Sequence, residues 1–297
     1  MSIPELLRST ATLVRSRLEA IFVWSWATTV SCLIVGRGFP PLIPTLKSIV
    51  AMIFISLSVY IYNDINDREL DKINPFKKTR PLPAGKVPIK HAKILVVISS
   101  LIGLSVAFSI NFYCFIFSLV YFILYSIYSY PKIHLKKRYI IKESVVTSGF
   151  ILTSLVGSYA VVGMFAKNAF FASLINSFLS FAFQPVITDT SDIEVDRIQG
   201  VKTIAMVLSW KRKMQLLITS VLIIMTITPL TYVQFGFNMM FPIYIVAGSL
   251  MFLSYMFPMI NKFEQIKTLK TRKVAFIYYT FLQFFAILGS LNMNFIF

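Results

Sequence analysis

Long apolar runs alternate with short polar segments along most of this 297-residue chain. A run of roughly 17 to 25 apolar residues is long enough to cross the hydrocarbon core of a bilayer as a helix. The pattern therefore predicts an all-α, polytopic membrane protein that forms a single domain over residues 1–297. Nine transmembrane helices are predicted, at about 18–35, 46–62, 93–110, 112–130, 143–162, 168–188, 214–231, 238–257 and 274–296.

The composition agrees with a membrane protein. Hydrophobic residues make up 57% of the chain, charged residues 14%, and the mean hydropathy is +0.74. The formal charge of +17 does not indicate nucleic-acid binding, because no basic helix or aromatic RNA-binding motif accompanies it. The two cysteines, Cys32 and Cys114, lie inside apolar runs without metal-ligand spacing, and we expect them to be packing residues.

The basic residues fall between the apolar runs on alternate sides. With nine spans, 26 of the 29 Lys and Arg residues lie on the side of the N-terminus, and only Arg37, Lys47 and Lys167 lie on the other. The positive-inside rule then places the N-terminus in the cytoplasm and the C-terminus outside. We expect His91 and His134 to lie in the basic loops, solvated or in contact with headgroups.

The six aspartates of the chain form two groups with the same spacing, D-x-x-D-x-x-x-D. The first group is Asp64, Asp67 and Asp71, and the second is Asp189, Asp192 and Asp196. On a helix, positions i, i+3 and i+7 lie within an arc of roughly 60°, so each group forms one acidic stripe. Carboxylates near a bilayer are costly, and hard oxygen ligands of this kind suit Mg²⁺. The pattern predicts two facing magnesium sites.

The two stripes follow the second and sixth spans, four helices apart, at the predicted cytoplasmic face. This arrangement suggests two related helical units, approximately 1–140 and 141–297. If the stripes face each other, they border a central cavity that opens toward the cytoplasm, with an acidic rim and an apolar interior.

The residues around both stripes resemble the signatures of UbiA-type intramembrane prenyltransferases. Asn63 and the first stripe, followed by Arg80-Pro81-Leu82-Pro83-Ala84-Gly85, look like the first signature. The second stripe with Arg197, followed by Gly200-Val201-Lys202-Thr203, is similar to the second signature. Tyr130-Pro131 and Leu135-Lys136-Lys137-Arg138 resemble the basic segment after the fourth span.

This resemblance implies transfer of an isoprenyl group from its diphosphate to a lipophilic acceptor, with Mg²⁺ as cofactor and an allylic carbocation as intermediate. The six aspartates would hold the metal and Asn63 would contact the phosphate. Fixed cations would stabilise the departing diphosphate. The candidates for that role are Arg80, Lys136, Lys137, Arg197 and Lys202, with Arg15 and Arg17 close to the cavity mouth.

Aromatic faces can stabilise a carbocation in a dry pocket. Tyr125, Tyr128 and Tyr130, at the end of the fourth span, are the candidates for this contact. One departure from the family pattern is Lys142-Glu143, where many relatives have Gly-Asn at the start of the fifth span. The change places a carried-over asparagine contact in doubt, and we interpret it as affecting helix entry.

Two other functions fit parts of the pattern. A membrane cation transporter could use the acidic stripes, although transporter sites usually lie near the bilayer midplane. A CDP-alcohol phosphotransferase also combines carboxylates with a divalent metal, but neither stripe contains its D-G-x-x-A-R motif. For a prenyltransferase, the acceptor stays open between a 4-hydroxybenzoate-like aromatic acid, a naphthoate and geranylgeranylglyceryl phosphate.

Overall fold

The structure, a computed structural model, describes residues 3–75, 77–189, 193, 197, 203–261 and 265–292. Within these ranges the chain is almost entirely helical. The helices are α1 (Ile3–Ser16), α2 (Leu18–Val35), α3 (Leu42–Ile73), α4 (Ile89–Phe108), α5 (Phe112–Ser129), α6 (Ile141–Val162), α7 (Lys167–Phe183), α8 (Ile204–Val207), α9 (Trp210–Thr231), α10 (Met240–Met256) and α11 (Gln265–Ser290).

Nine of the helices in the described part are long and apolar enough to cross a membrane, which confirms the predicted number. The largest difference in their bounds is at α3. The second span was predicted at 46–62, but α3 runs without interruption from Leu42 to Ile73 and so carries the first aspartate stripe on the same helix. Pro75 follows it, and proline cannot continue a helix.

The sixth span ends in a distorted turn that leads to the second aspartate group. α7 passes at Phe183 into a π-helical turn over Gln184–Thr188, and Asp189 follows directly. Pro185 lies in this turn and has no backbone N–H to donate to an α-helical hydrogen bond. Insertions of this type are frequent at functional sites.

The segment before the first span forms a separate helix, α1, which the apolar runs do not predict. Its Leu13 is buried in a cluster with residues of α2, α3 and α4. Ser9 is also buried, and its hydroxyl lies 2.9 Å from Nδ1 of His91. The prediction for His91 was therefore wrong, because His91 lies on α4 and packs beneath α1 instead of facing solvent.

Small residues allow close contact between the helices around the central bundle. A Cβ atom at Gly149 of α6 would lie 2.5 Å from the ring of Trp24 on α2, and one at Gly157 would lie 2.7 Å from Oγ of Ser31. Such glycines allow neighbouring membrane helices to approach closely. Both cysteines are buried thiols, as expected of packing residues.

Candidate active site

A cavity of about 440 Å³ lies between α2, α3, α5, α6 and α7. Its lining separates into a charged region and an apolar region. The charged residues are Arg17, Asp67, Asp71, Lys77, Arg80, Lys136, Lys137, Lys142 and Asp189. The apolar and aromatic residues include Val23, Trp24, Val59, Tyr60, Tyr125, Tyr128, Val146 and Phe150. Such a division suits an amphiphilic ligand with an anionic head and a hydrocarbon tail.

Asp64 is the most enclosed carboxylate of the first stripe, with 2% of its surface exposed. Nε of Arg17 donates a hydrogen bond of 2.6 Å to its Oδ2, and Nη1 of Arg80 lies 3.6 Å from its Oδ1. Arg17 lies between α1 and α2, so its position depends on the short connection between these helices. The guanidinium balances a carboxylate that would otherwise be costly to bury.

Burial lowers the pKa of Arg17 to about 10, and repulsion by Arg80 contributes in the same direction. The side chain still carries its positive charge at neutral pH, because that value is far above 7. Its guanidinium also lies over the ring of Tyr60, 5.8 Å from the ring centroid. Arg17 is therefore a fixed cation at the boundary between the charged and apolar regions.

The other two carboxylates of the first stripe also have basic partners. Nη1 of Arg80 lies 3.0 Å from Oδ2 of Asp71, and Lys136 forms an ion pair with Asp67. The predicted substrate-binding residues Arg80 and Lys136 thus reach the stripe from the loops that follow α3 and α5. Lys137, beside Lys136, also lines the cavity.

Asp189 represents the second group on the opposite side of the cavity. It is buried, and its Oδ2 lies 3.0 Å from Nζ of Lys142, in the first turn of α6. Lys142 is a residue that the sequence analysis did not select as a ligand contact. In the sequence, Lys142 stood out only as a departure from the family pattern. Its pairing with Asp189 depends on how α6 and α7 pack.

Hydrogen bonds fix the polar groups at the start of the apolar region. Oδ1 of Asn63 accepts a hydrogen bond of 2.6 Å from Ser129. Nε1 of Trp24 donates to the hydroxyl of Tyr60 at 2.8 Å, and the hydroxyl of Tyr125 donates to the carbonyl of Val146 at 2.7 Å. These groups present aromatic surface to the cavity while their polar atoms are held in place.

The remaining predicted residues fall into two sets. Tyr128 lines the cavity together with Tyr125, whereas Tyr130 is not part of the lining and is 38% exposed. Arg15 and Arg197 are exposed and lie outside the cavity lining. The predictions that lie outside the described residues are Asp192, Asp196 and Lys202.

The donor set fits a magnesium-bound ligand by its chemistry. Asp67, Asp71 and Asp189 present carboxylates to one cavity from two sides, and Mg²⁺ prefers such hard oxygen ligands. In the part of the chain that the structure describes, no three His, Cys, Asp or Glu side chains are close enough to hold a metal ion by themselves.

Comparison with known proteins gives consistent matches. The model of the UbiA prenyltransferase family matches residues 24–289. A digeranylgeranylglyceryl phosphate synthase of Thermococcus sibiricus is 31% identical over 227 residues, which cover 74% of this chain and 77% of the relative. The synthase of the same name from Sulfurisphaera tokodaii is 30% identical, covering 66% and 69% of the two chains.

Solved structures show the same fold. A structure described for digeranylgeranylglyceryl phosphate synthase aligns with a TM-score of 0.74 at 22% identity and covers 97% of this chain and 99% of that chain. A UbiA homologue from Archaeoglobus fulgidus, bound to GPP and Mg²⁺, aligns with a TM-score of 0.66 at 18% identity and covers 93% and 99%.

Proposed function

Since the chain belongs to the UbiA prenyltransferase family, we propose that it transfers a geranylgeranyl group from geranylgeranyl diphosphate to the free hydroxyl of geranylgeranylglyceryl phosphate, with Mg²⁺ as cofactor. The relatives from Thermococcus sibiricus and Sulfurisphaera tokodaii bear the name of the enzyme for this reaction. The observation that carries the proposal is the cavity itself, in which carboxylates and lysines from both sides surround an entrance to an aromatic, apolar interior.

In the proposed complex, the diphosphate lies between Asp67 and Asp71 on one side and Asp189 on the other. These carboxylates would hold Mg²⁺, which would supply positive charge to stabilise the diphosphate. Asp64, Asp192 and Asp196 complete the proposed ligand set. Lys136 and Lys142, which pair with Asp67 and Asp189, would turn toward the phosphate oxygens and stabilise the charge that develops on the leaving group.

The prenyl chain occupies the apolar region in this proposal. The bond between C1 and the diphosphate oxygen breaks, and its electron pair leaves with the diphosphate. The hydroxyl oxygen of the acceptor bonds to C1, and the hydroxyl proton passes to the departing diphosphate. Tyr60, Tyr125 and Tyr128 face this region with aromatic surface, which stabilises an allylic cation by cation–π interaction and excludes water.

The acceptor is the part of the proposal that an assay tests most directly. Purified protein would receive labelled geranylgeranyl diphosphate and Mg²⁺ with geranylgeranylglyceryl phosphate, 4-hydroxybenzoate or a naphthoate. We expect a labelled diether phosphate with the first acceptor, and we expect EDTA to abolish it. If only an aromatic acceptor gave a labelled product, the proposed acceptor would be wrong, but the chain would still be a prenyltransferase.

We also propose that the cavity opens at the cytoplasmic face, because 26 of the 29 basic residues fall on the side of the aspartate stripes. Phe39 lies just before α3 and Lys78 lies just after it, and both are exposed. In intact cells, a membrane-impermeant maleimide is expected to label Phe39→Cys and to leave Lys78→Cys unlabelled. Labelling of Lys78→Cys but not of Phe39→Cys would indicate the opposite topology.

A further inference from the structure

The first turn of α6 contacts the chain on both sides of the second aspartate group. Nζ of Lys142 lies 3.0 Å from Oδ2 of Asp189, the first residue of that group. Oε1 of Glu143, the next residue of α6, accepts a hydrogen bond of 3.4 Å from the backbone N–H of Ile204. In the sequence, the other two aspartates of the group lie between Asp189 and Ile204. Two neighbouring side chains therefore hold the two ends of the segment that carries the second stripe.

The hydrogen bond to Ile204 provides a cap that α8 does not obtain from its own residues. Ile204 is the first residue of α8, and the N–H groups of a first helical turn have no partner within their helix. Thr203 holds the N-cap position, where threonine is a preferred residue. Its side chain nevertheless caps nothing in α8, and its hydroxyl has no hydrogen-bond partner in the described part of the chain. Glu143 takes this role from another helix.

Packing alone does not explain the burial of Glu143. The side chain is 0% exposed, and its Oε2 has no hydrogen-bond partner among the described residues. Burying a carboxylate is costly unless it is paired or hydrogen-bonded. An apolar side chain of similar volume would fill the same space without that cost. The contact that requires an acceptor at this position is the hydrogen bond from Ile204, which is itself buried.

We propose that Glu143 is a positioning residue for the second metal-binding group. It holds Ile204 while Lys142 holds Asp189, so both ends of the segment stay against α6. A carboxylate that is already held in place loses less freedom when it binds a metal ion, and metal affinity therefore depends on such supporting contacts. Glu143 is not among the residues that line the cavity, and it acts through Ile204. This inference rests on the proposed function only in taking Asp189 as a ligand of Mg²⁺.

The test measures metal binding and needs no turnover. Purified protein in detergent receives a saturating amount of geranylgeranyl thiolodiphosphate, and Mn²⁺ is titrated in place of Mg²⁺. The electron paramagnetic resonance signal of free Mn²⁺ gives the Kd for the metal in each variant. Unfolded protein lowers the number of binding sites but leaves the Kd of the folded molecules unchanged. The Kd therefore separates a positioning role from a loss of stability.

Two substitutions of Glu143 distinguish the acceptor from the bulk of the side chain. Glu143→Met retains the length of the side chain and removes the acceptor, and we expect the Kd for Mn²⁺ to rise about tenfold, as for other residues that orient metal ligands. Glu143→Gln retains an oxygen that can accept from Ile204, and its Kd should equal that of the wild type. Without ligand, the peptide that contains α8 should exchange its amide hydrogens faster in Glu143→Met than in Glu143→Gln.

The same contact can be removed from its other side. Ile204→Pro deletes the donor N–H, and proline is favoured at the first position of a helix. Thr203 before it is extended, with φ −111° and ψ 163°, as a residue that precedes proline should be. We expect the Kd to rise as in Glu143→Met. The double variant should bind Mn²⁺ no more weakly than either single variant, because both remove one contact.

Thr147→Val is the matched control. Thr147 is buried one turn after Glu143 on the same face of α6, but its hydroxyl donates to the carbonyl of Ser144 within the helix. Its Kd for Mn²⁺ should equal that of the wild type.

Unchanged Kd values in both Glu143→Met and Ile204→Pro would overturn the positioning role. Equal losses in Glu143→Met and Glu143→Gln would also overturn it, because the charge of Glu143 and not its contact with Ile204 would then support the metal. A wild-type protein that binds no Mn²⁺ with the analogue would overturn the proposed metal site as well. The expected Kd values without transfer to geranylgeranylglyceryl phosphate would support the positioning role and remove the proposed acceptor alone.

Discussion

The two ends of the cavity are held by different interactions, ion pairs at the mouth and packed aromatic rings at the inner end. At the mouth, each described aspartate of the two stripes has a basic partner within ion-pair distance, so charge is balanced across helices and loops. At the inner end, Trp24, Tyr125 and Phe150 contact one another or share neighbours through ring packing, and their polar atoms are tied to nearby groups.

The two ends should therefore tolerate different changes. The ion pairs of Arg80, Lys136 and Lys142 can exchange partners when an anionic ligand and its metal arrive, because these long side chains can turn, whereas Arg17 is held by burial beside Asp64 and Tyr60. The inner end cannot rearrange without displacing packed rings, and protein interiors are dense enough to resist that. We expect substitutions at the mouth to affect turnover, and substitutions at the inner end to affect stability.

The largest effect is expected at the carboxylates of the mouth. Asp67→Asn and Asp189→Asn each remove a proposed metal ligand while retaining size, and kcat/KM should fall on the order of a hundredfold or more. Glu69→Gln is the control, because Glu69 lies on the same helix but pairs with Arg68 and Lys72 at the exposed surface. Equal activity of Asp67→Asn and Glu69→Gln in the transfer assay would contradict the assignment.

A smaller effect is expected from the cation opposite the second stripe. Lys142→Met removes the partner of Asp189, and such supporting contacts typically contribute about tenfold to a hundredfold to activity or metal affinity. The dependence of the rate on Mg²⁺ concentration would be measured alongside kcat. Lys78→Met serves as the comparison, since Lys78 is exposed and outside the cavity lining. If both variants behave like wild type, Lys142 has no role in the site.

At the inner end, Gly149→Ala should act on stability. The added methyl group would lie 2.5 Å from the ring of Trp24, and such overpacking costs roughly 1–3 kcal/mol. Gly248→Ala on α10 offers the opposite case, because its methyl group would meet Phe285 only at 3.9 Å and alanine favours a helix. Thermal unfolding in detergent should show a lower Tm for the first variant alone. A lower Tm for both would contradict tight packing as the cause.

The smallest effect is expected away from both ends, at the contact between α1 and α4. Ser9→Ala removes the hydroxyl that pairs with His91, and loss of one such hydrogen bond costs about 1 kcal/mol. Tm should fall slightly while transfer activity is retained. Ser100→Ala, on the exposed side of α4, should leave Tm unchanged. A strong loss of activity in Ser9→Ala would contradict this expectation and indicate that the packing of α1 controls the position of Arg17.

Several features could be predicted from the sequence because they depend on local patterns. The nine spans follow from the length of the apolar runs, and the stripe on α3 follows from the i, i+3 and i+7 positions of Asp64, Asp67 and Asp71. The helix α1 is absent from the prediction because its few apolar residues, such as Leu13, are mixed with arginine and hydroxyl side chains.

The parts that could not be predicted depend on packing between distant segments. Lys142 is one of many lysines in the sequence, and only the approach of α6 to the end of α7 places it beside Asp189. Phe150 is one of 28 phenylalanines, and its place in the cavity lining depends on packing against Trp24 and Tyr279, each more than a hundred residues away. The sequence predicts His91 in a loop, because it does not predict the helix α1 that covers His91.

In the proposed complex, the charged mouth holds a metal-bound diphosphate above an apolar pocket. The most direct measurement is an experimental structure with geranylgeranyl thiolodiphosphate and Mn²⁺, using the anomalous signal of Mn²⁺ to locate the metal. We expect anomalous peaks between Asp67 or Asp71 and Asp189, with the prenyl chain in the apolar region of the cavity. A diphosphate bound without metal at the carboxylates, or a prenyl chain outside the cavity, would contradict it.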